Sequence, residues 1–514
     1  MTYYFCTKKP ANEVPCNKRR LPMNILLIYP EFPDTFWSFK HALKFVGKRA
    51  ALPPLGLLTV AAMLPKAWSL RLVDTNVREL SDNDLAWANC AFISAMVVQR
   101  ESTRQIVARC KSAGLRIVAG GPLFASEQER FEAIDHFVLN EAELTLPPFL
   151  KDWEQGHPQR IYTSAAFADL RQTPQPLWHL LDLPRYATMG IQFSRGCPFN
   201  CDFCNITALL GHRVRIKTSS QITAELDALY ALGWRGNVFF VDDNFIGNKS
   251  SVKTDLLPAL IEWRKDKIGN TFFTEASIDL ADDPSVMEQM SEAGFTGVFI
   301  GIETPDEVCL AECSKAQNGN RDLVEDVKRI QRAGLQVQGG FIVGFDHDRP
   351  TIFQKQIDFI QKSGIVTAMV GLLQAPVGTR LYARMKQAGR LCAESSGDNV
   401  DGTTNIIPEM NMETLKEGYR RILDTIYAPH QYYQRIRTFL REYRAPLVRD
   451  HFQWSHGLAL LRAFYKLGIV GKERFQFWAL LLWTQFRCPQ RLPDAISLAI
   501  YGYHFRMICE KHVT

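Results

Sequence analysis

Short apolar segments alternate with helical patterns along most of this chain, and the alternation starts twice, once near residue 24 and again near residue 186. Such an alternation is typical of parallel sheets whose strands are joined by helices. At 514 residues the chain is also too long for one core of ordinary size. We therefore predict an α/β protein with two parallel sheets in separate domains, followed by a helical region.

The first series predicts a doubly wound, Rossmann-like domain over residues 23–155. Its strands are short apolar runs, and Gly114 is placed to end an intervening helix in the left-handed conformation. In such sheets ligands bind beyond the carboxyl ends of the strands. Residues 1–22 lack a periodic pattern, so we expect a disordered extension or a start codon assigned ahead of Met23. The predicted strands are 24–29, 69–74, 91–95, 116–119 and 136–139, and the predicted helices include 55–64 and 102–113.

The second series predicts a partial barrel of six βα units over residues 187–395, after a linker at 156–186. Several of its helices end in a glycine-led turn, as at Gly233 and Gly294. A complete eight-stranded barrel would need two further strands, and the sequence offers none. Residues 396–514 form a mostly helical region. The predicted barrel strands are 190–194, 237–241, 271–276, 298–302, 337–343 and 367–373.

Three cysteines follow the first strand of the second series. Cys197, Cys201 and Cys204 have the spacing C-x3-C-x2-C, which is compact enough for three thiolates to bind three irons of one [4Fe–4S] cubane. By composition alone this spacing would arise in roughly one chain in a hundred. Three thiolates leave the fourth iron open to a substrate. We therefore predict an iron–sulfur cluster here rather than three buried structural cysteines.

This motif, with Phe203 just before the third cysteine, resembles that of the radical S-adenosylmethionine (SAM) superfamily. The resemblance implies a partial (β/α)6 barrel with SAM bound where the strands end. The resemblance places residues 242–244, after the second strand, near the methionyl amine of SAM. It places Glu303, after the fourth strand, near the ribose, and residues 342–344, at the end of the fifth, near the adenine. For any one acid, strand-end capping or a salt bridge remains an equal alternative. The predicted SAM-binding residues are Phe203, Asp242, Asp243, Asn244, Glu275, Glu303, Ile342 and Gly344.

The loops at the strand ends of the first domain, in their order ahead of the cysteine motif, resemble the cobalamin-binding domain of B12-dependent radical SAM enzymes. Many B12 proteins ligate cobalt through a histidine in a D-x-H-x-x-G loop. Neither His41 nor His136 has that context, so we expect no histidine on cobalt. The predicted cobalamin-binding residues are Pro54, Leu55, Gly56, Ser94, Met96, Gly120, Gly121, Pro122 and Glu141.

The chain from about Met23 to Arg444 resembles the hopanoid C-2 methylase subfamily of B12-binding radical SAM proteins, and the resemblance is densest at 192–198, 240–248 and 301–306. The tail beyond about Asp450 shows no such resemblance. In that family a reduced cluster cleaves SAM, and the resulting 5′-deoxyadenosyl radical takes hydrogen from an unreactive carbon, which then receives a methyl group from methylcobalamin. The resemblance implies a C-methyltransferase acting on an apolar, polycyclic lipid. Two alternatives remain: a B12-dependent radical enzyme that forms or rearranges a ring, and a non-enzymatic cobalamin sensor.

Composition limits the partners. The net charge is only +6, with Lys and Arg scattered along the chain, which argues against nucleic acid. Twelve cysteines in a chain of this length are not a disulfide framework and fit a reducing, cytoplasmic compartment. The chemistry implies a reducing partner of flavodoxin or ferredoxin type.

Two further features have competing interpretations. Cys309 and Cys313 would suit a second cluster, but we favour two helix cysteines one turn apart. The run from Phe477 to Trp483, with basic residues on both sides, is too short to span a bilayer. It fits either core packing between helices or an interfacial helix that gives peripheral contact with the inner membrane face.

Overall fold

The computed structural model describes residues 22–398, 400–444 and 454–512. The predicted N-terminal extension, apart from Pro22, lies outside the described residues. The described part forms two parallel sheets and a helical C-terminal region, which confirms the predicted fold class.

The N-terminal sheet has six parallel strands in the order β2-β1-β3-β4-β5-β6. Side chains on β1 alternate between two buried clusters, because Leu26 and Ile28 face one layer of helices while Ile25 and Leu27 face the other. The sixth strand lies inside the predicted linker, so the sheet extends past the predicted end at residue 155. The strands are β1 Asn24–Tyr29, β2 Ser69–Asp74, β3 Cys90–Ser94, β4 Arg116–Gly120, β5 His136–Val138 and β6 Ile161–Tyr162.

The central sheet also has six parallel strands, in the order β7-β10-β11-β12-β13-β14. All six predicted barrel strands are present, with shifts of a few residues at their ends. A two-stranded antiparallel hairpin, β8 with β9, surrounds the cysteine loop and was absent from the prediction. The strands are β7 Thr188–Ile191, β8 Ser194–Arg195, β9 Arg215–Ile216, β10 Asn237–Phe240, β11 Thr271–Glu275, β12 Phe295–Glu303, β13 Gln336–Val343 and β14 Ala368–Leu372.

Helices cover both sheets and form the C-terminal region. They are α1 Lys40–Val46, α2 Leu55–Met63, α3 Asp82–Trp87, α4 Arg100–Ser112, α5 Pro122–Glu127, α6 Ala142–Gln155, α7 Ile206–Leu210, α8 Ser219–Ala231, α9 Lys249–Ser251, α10 Leu257–Arg264, α11 Pro284–Ala293, α12 Glu307–Glu312, α13 Leu323–Arg332, α14 Ile352–Ser363, α15 Arg380–Gln387, α16 Met412–Tyr427, α17 Pro429–Glu442, α18 Trp454–Ala463, α19 Arg474–Arg487 and α20 Leu492–His512. A π-helical segment, Phe464–Val470, continues α18.

Residues 37–51 cross the open side of the partial barrel between its two edge strands. At one end the indole N–H of Trp37 donates to Sδ of Met369 in β14, at 2.9 Å. At the other end Ala187 and Thr188, at the start of β7, donate their amides to backbone carbonyls of this segment at 3.0 Å. The N-terminal domain therefore covers the side of the barrel that its own strands leave open.

The C-terminal helices pack against the barrel helices and against the N-terminal segment. Helices α16 and α17 contact α14, and α20 contacts α1, α16 and α17. Pro429 begins α17 at the first helical position, where its missing N–H breaks no helical hydrogen bond. In the part of the chain that the structure describes, no helix is long and apolar enough to cross a bilayer.

Candidate active site

The cysteine loop connects strand β8 to helix α7 and is held on both sides by backbone hydrogen bonds. Gly196 begins it with a φ of +93°, and a Cβ there would lie 2.9 Å from the carbonyl oxygens of Gly211 and Arg213. The amide of Cys197 donates to the Gly211 carbonyl at 3.3 Å. A glycine is thus required where the loop passes closest to the chain that follows it.

The three motif thiols are unbridged, partly buried and close enough to influence one another's ionisation. Burial raises the pKa of Cys197, and it raises the pKa of Cys204 to about 12. The nearby ammonium of Lys315 acts in the opposite direction on both thiols. Among the described residues, no three or more Cys, His, Asp or Glu side chains are placed to bind a single metal ion together. A [4Fe–4S] cubane does not require such a group, because each thiolate binds a different iron. The free thiols and the cation beside them fit a cluster.

A buried ion pair lies beside the thiols. Lys315 Nζ is 2.7 Å from Glu303 Oε1 and 6.0 Å from the centroid of the Phe203 ring. Glu303 adopts a φ of +64°, which is rare for a non-glycine residue, and a Cβ at Gly301 would collide with both charged groups. One oxygen of the predicted ribose-binding glutamate is therefore already paired, and only the other is left for a ligand.

Three carboxyl groups at the ends of β10 and β11 form no ion pair among the described residues. Asp242 is fully buried, and its carboxylate accepts from the amides of Phe193 and Ser194, at 3.1 Å for Phe193. Burial raises the pKa of Asp242 to about 7, of Asp243 to about 6 and of Glu275 to about 8. The two neighbouring aspartates raise the pKa of Glu275 further. A bound cation would relieve this repulsion, as the predicted role beside a methionyl amine requires.

Asn244 connects the ends of the same two strands. Its Nδ2 donates to Ser277 Oγ at 3.1 Å, and its Oδ1 accepts the amide of Ser277 at 3.2 Å. With Asp242 occupied by backbone amides, Asp243 and Glu275 are the partly accessible groups of this set.

The end of β13, predicted to hold the adenine, has its polar backbone groups engaged within the protein. The Gly344 amide donates to Asp348 Oδ2 at 2.7 Å, and the Ile342 carbonyl accepts from Gln356 Nε2 at 2.8 Å. Cys309 Sγ donates to the second oxygen of Asp348 at 3.3 Å. Cys309, in α12, and Cys313, directly after its end, lie in a buried apolar cluster with Ile342 at its edge. Both cysteines are thus packed in the core, although only Cys309 is inside the helix.

The loops predicted to bind cobalamin lie between the N-terminal sheet and the barrel. A Cβ at Gly190 of β7 would lie 4.0 Å from Leu55 Cδ2. Gly121 has a φ of +97°, and a Cβ there would meet Ser94 Oγ at 2.9 Å, so the loops after β3 and β4 approach closely. Met96 leaves 44% of its surface exposed beside them. Backbone groups and small side chains therefore line these loops, where the flat corrin ring of a cobalamin would lie.

Both histidines considered as cobalt ligands lie elsewhere. His136 stands at the amino end of β5, with Nδ1 2.7 Å from the Gln159 carbonyl. The His41 ring stands 5.6 Å from that of His504 in the last helix. Cobalamin binding without a histidine ligand on cobalt stays a prediction.

Glu141 has a different environment from the other predicted cobalamin residues. Arg195 and Arg215 approach its carboxylate at 3.2 and 2.8 Å, and the Ala168 amide donates to it as well. Glu143, two residues further along in α6, pairs with Arg195 at 2.9 Å. This buried network joins the N-terminal domain to the hairpin around the cysteine loop, and it gives Glu141 a positioning role between the domains.

Comparison with known proteins agrees with this geometry. Residues 191–360 match the family model of the radical SAM superfamily, and residues 379–514 match a domain of unknown function, DUF4070. An uncharacterized methyltransferase of Synechocystis sp. is 40% identical over 94% of this chain and 91% of its own length. The hopanoid C-2 methylase of Rhodopseudomonas palustris is 33% identical over 89% of this chain and 88% of its own. The chain belongs to the B12-binding radical SAM proteins.

Solved structures at low identity show the same fold. The cobalamin-dependent SAM radical enzyme OxsB aligns with a TM-score of 0.61 at 14% identity, over 96% of this chain and 80% of OxsB. The methyltransferase TsrM from Kitasatospora setae aligns with a TM-score of 0.57 at 13% identity, over 93% of this chain and all of TsrM. As a family member the chain is a cobalamin-dependent radical SAM methyltransferase, and it needs a reductant.

Several side chains of the site gave no signal in the sequence. Lys315 is an ordinary lysine in a polar stretch, and Arg195 and Arg215 could be placed only once the hairpin was known. Trp37 lies far from the barrel in sequence yet contacts β14. Each acts through a long-range contact that no local pattern records.

Proposed function

We propose that this enzyme methylates an unactivated carbon of an apolar polycyclic lipid, and specifically that it is a hopanoid C-2 methylase. The identity with the Rhodopseudomonas palustris hopanoid C-2 methylase extends over nearly the whole chain, so it includes the parts between the domains where a substrate would lie. The observation that carries the proposal is the apolar character of the inner face of the barrel.

Aromatic side chains line that inner face. Along each barrel strand alternate residues pack outward into the buried core, which leaves Phe239, Phe273 and Phe299 on the inner side, partly accessible. The rings of Phe239 and Phe273 stand 5.1 Å apart, and Trp37 meets Phe299 edge to face at 5.3 Å. A wall of this kind suits a rigid hydrocarbon and offers little to a charged substrate.

Two inner glycines give this wall its shape. A Cβ at Gly340 would lie 2.8 Å from Phe299 Cζ, so glycine there lets the ring lie against β13. Met369, the acceptor for Trp37, borders the same space on β14. Gly301, on the neighbouring strand, leaves room for the Glu303–Lys315 pair. The inner face of the barrel is thus apolar along the strands and polar at their carboxyl ends. This arrangement would suit a lipid substrate against the apolar part and the zwitterionic methionine group of SAM at the polar end.

Each group of residues has a role in this proposal. The three motif cysteines would hold the [4Fe–4S] cluster, with Lys315 supplying a positive charge beside them. Asp243 and Glu275 would hold the methionyl ammonium, and the loops around Ser94 and Gly121 the cobalamin. When bound, the cluster supplies the electron that cleaves SAM and the cobalamin supplies the methyl group. The segment 37–51 keeps water from the open side of the barrel.

The test is the lipid profile of a hopanoid-producing host with and without this gene. We expect a hopanoid one methylene heavier, with the new methyl group on ring A. The Cys201→Ala variant should give no such lipid while still binding cobalamin, because the cluster loop and the cobalamin loops lie on different domains. Cys392→Ala, at an exposed cysteine outside the motif, is the matched control and should retain full activity.

Two results would count against the proposal. An unchanged lipid profile, with the protein expressed and its cluster loaded, would exclude the hopanoid substrate. If purified enzyme formed 5′-deoxyadenosine without matching S-adenosylhomocysteine, the reaction would be ring formation or rearrangement instead of methylation.

A further inference from the structure

The last helices of the chain expose an apolar surface that their own packing does not use. Nine of the nineteen exposed large apolar side chains in the described residues lie between 458 and 486. They form two rows, one on α18 and its π-helical continuation and one on α19, at helical spacings that place each row on one face. The rows are Leu458, Leu461, Tyr465, Ile469 and Val470, and Phe475, Trp478, Leu482 and Phe486.

The two rows belong to one surface, which we call the apolar face. Phe464 stacks on Trp478 with ring centroids 5.6 Å apart, and the Trp478 indole N–H donates to the Gly468 carbonyl at 2.9 Å. The two helices therefore lie side by side, with Phe475 and Phe486 at the rim, 71% and 83% exposed. Isolated exposed apolar residues are normal, whereas a cluster of this size marks a contact surface.

The segment that carries the apolar face is mainly basic, although Glu510 of the last helix lies 3.9 Å from Lys472. Between residues 454 and 487 the only acidic residue is Glu473, and it is buried against Arg506. The basic residues of the same stretch are Arg462, Lys466, Lys472, Arg474 and Arg487. An apolar face with a basic border matches a bilayer surface that carries anionic lipids.

A pocket between α17 and α19 opens beside the first turn of the apolar face. It has a volume of about 490 Å³ and is lined by Arg437, Arg441, Gln476 and Phe475, among others. Neither arginine forms an ion pair among the described residues. Burial lowers the pKa of Arg437, and the charge of Arg441 lowers it further. Buried Arg437 Nε and Gln476 Oε1 have no hydrogen-bond partner there.

The two unpartnered atoms indicate which chemical groups a ligand of this pocket would carry. A guanidinium N–H without an acceptor calls for an anion, and arginines suit phosphate oxygens. A buried amide oxygen without a donor calls for a hydroxyl group close by. A phosphate ester bearing hydroxyl groups, such as a phosphatidylglycerol headgroup, meets both needs.

We propose that the apolar face enters the interface of a lipid bilayer while the Arg437–Arg441 pocket receives the phosphate of an anionic phospholipid. Helix α19 has 14 residues, about 21 Å at 1.5 Å per residue, and so lies in the surface instead of crossing the membrane. A bilayer supplies hydrocarbon and phosphate at neighbouring depths, as the face and the pocket require. This surface is separate from the barrel, so the proposal does not depend on the hopanoid assignment.

Vesicle flotation of the full-length, cluster-loaded protein tests this, with no SAM or substrate present. We expect the protein to float with vesicles of phosphatidylcholine and phosphatidylglycerol, and at least tenfold less with phosphatidylcholine alone. The triple variant Phe475→Ser, Leu482→Ser, Phe486→Ser should lose vesicle binding at least tenfold. Its matched control is Leu232→Ser with Val308→Ser, two exposed apolar residues outside the apolar face, which should bind as the wild type does.

The pocket is tested separately with Arg437→Gln and Arg441→Gln together, and with Arg171→Gln as a control on the exposed surface of another domain. The double variant should lose the preference for phosphatidylglycerol while still floating weakly. If the triple variant floated as well as the wild type, the proposal would be overturned. It would also be overturned if a second copy of the chain, or residues 1–21 of the same chain, covered the apolar face and prevented vesicle binding. Full competition by millimolar inorganic phosphate would assign the pocket to free phosphate and overturn its role in lipid binding.

Discussion

At the scale of single residues, the most informative feature is a group of buried carboxyl groups that form no ion pair among the described residues. Asp243 and Glu275 sit at the ends of neighbouring parallel strands, where burial disfavours the charged form of each. The charges of Asp243 and Asp242 disfavour the charged form of Glu275 further, while Arg195 and Arg215 partly offset the effect of burial on Asp243. A fold seldom retains such repulsion unless a ligand relieves it, so these positions are strong binding candidates.

Glu275 should make SAM binding depend on pH. Its pKa is raised to about 8, so the ligand-free carboxyl is mostly neutral at pH 6 and must ionise to hold an ammonium. SAM affinity of the wild type should therefore rise between pH 6 and 7.5. Glu275→Gln should bind SAM roughly tenfold more weakly, with a flatter pH profile, since about 1.4 kcal/mol corresponds to a factor of ten. Equilibrium dialysis of cluster-loaded protein measures both effects. Glu262→Gln, on an exposed glutamate, is the control, and an unaltered profile in Glu275→Gln would exclude the role.

Lys315 should set the reduction potential of the cluster. Its ammonium lies near the motif thiols and is held by Glu303 at 2.7 Å. Removing a positive charge disfavours the reduced, more negative cluster, so Lys315→Gln should lower the potential by on the order of 50 mV. Redox titration followed by EPR measures the shift. The control is Lys355→Gln, which breaks an exposed ion pair with Asp306 and should leave the potential of the cluster unchanged. If Lys315→Gln had the same potential as the wild type, Lys315 would have no role in setting it.

The sequence allowed the carboxylates to be predicted but not the lysine, for a physical reason. Glu275 is the last residue of β11 and Asp243 lies three residues after β10, and parallel strands bring their carboxyl ends to one edge of the sheet. Lys315 reaches the site from a segment after α12, through a turn that no local pattern specifies. Residue placement was thus predictable only where it follows from strand order.

At the scale of elements, strands with a continuous apolar pattern were predictable and very short ones were not. Strand β2 begins and ends where its pattern predicts, at Ser69 and Asp74. Strand β6 and the hairpin strands β8 and β9 have two residues each, too few to show a period of two. Gly233 and Gly294, with φ of +89° and +93°, end their helices as the sequence indicates.

Helix packing depends on close contacts that the pattern of apolar residues does not reveal. A Cβ at Gly418 of α16 would collide with the ring of Phe353 in α14. We expect Gly418→Ala to destabilise the protein by about 1–3 kcal/mol through overpacking. Gly457→Ala is the matched control, because a Cβ there meets nothing within 4 Å and alanine is the better helix former, so it should be neutral or stabilising by up to about 1 kcal/mol. Urea unfolding compares the two, and equal effects would exclude the packing explanation.

At the scale of the whole molecule, the chain closes on itself between its first loop and its last helix. Phe36 stacks on Phe505 with centroids 4.1 Å apart, and His504 Nε2 lies 3.0 Å from the Phe36 carbonyl. The same loop carries Trp37 to the open side of the barrel. The sequence could not predict this contact, because it joins segments almost as far apart as the chain allows and neither has a motif. Helix α20 therefore helps to hold the segment 37–51 over the open side of the barrel.

His504 should make this closure sensitive to acid. The ring is fully buried, its Nδ1 has no partner among the described residues, and burial lowers its pKa to about 4. Because the folded pKa lies below the ordinary value near 6.5, the neutral ring stabilises the fold above pH 6.5, and this stability is lost as the pH falls towards 4. Between pH 7 and pH 5 the loss should be about 2 kcal/mol.

The groups that face His504 are Asp34, His41 and the Phe36 carbonyl, and of these only Asp34 favours the protonated ring by its charge. His504→Gln keeps an N–H for the Phe36 carbonyl but cannot take up a proton. Urea unfolding at pH 7 and pH 5 should therefore show a smaller loss of stability in this variant than in the wild type. If the two proteins lost equal stability, the acid sensitivity would lie elsewhere and His504 would be a packing residue. If the variant lost less, protonation of His504 would account for the acid sensitivity, and the contact between the first loop and the last helix would contribute to the stability of the whole fold.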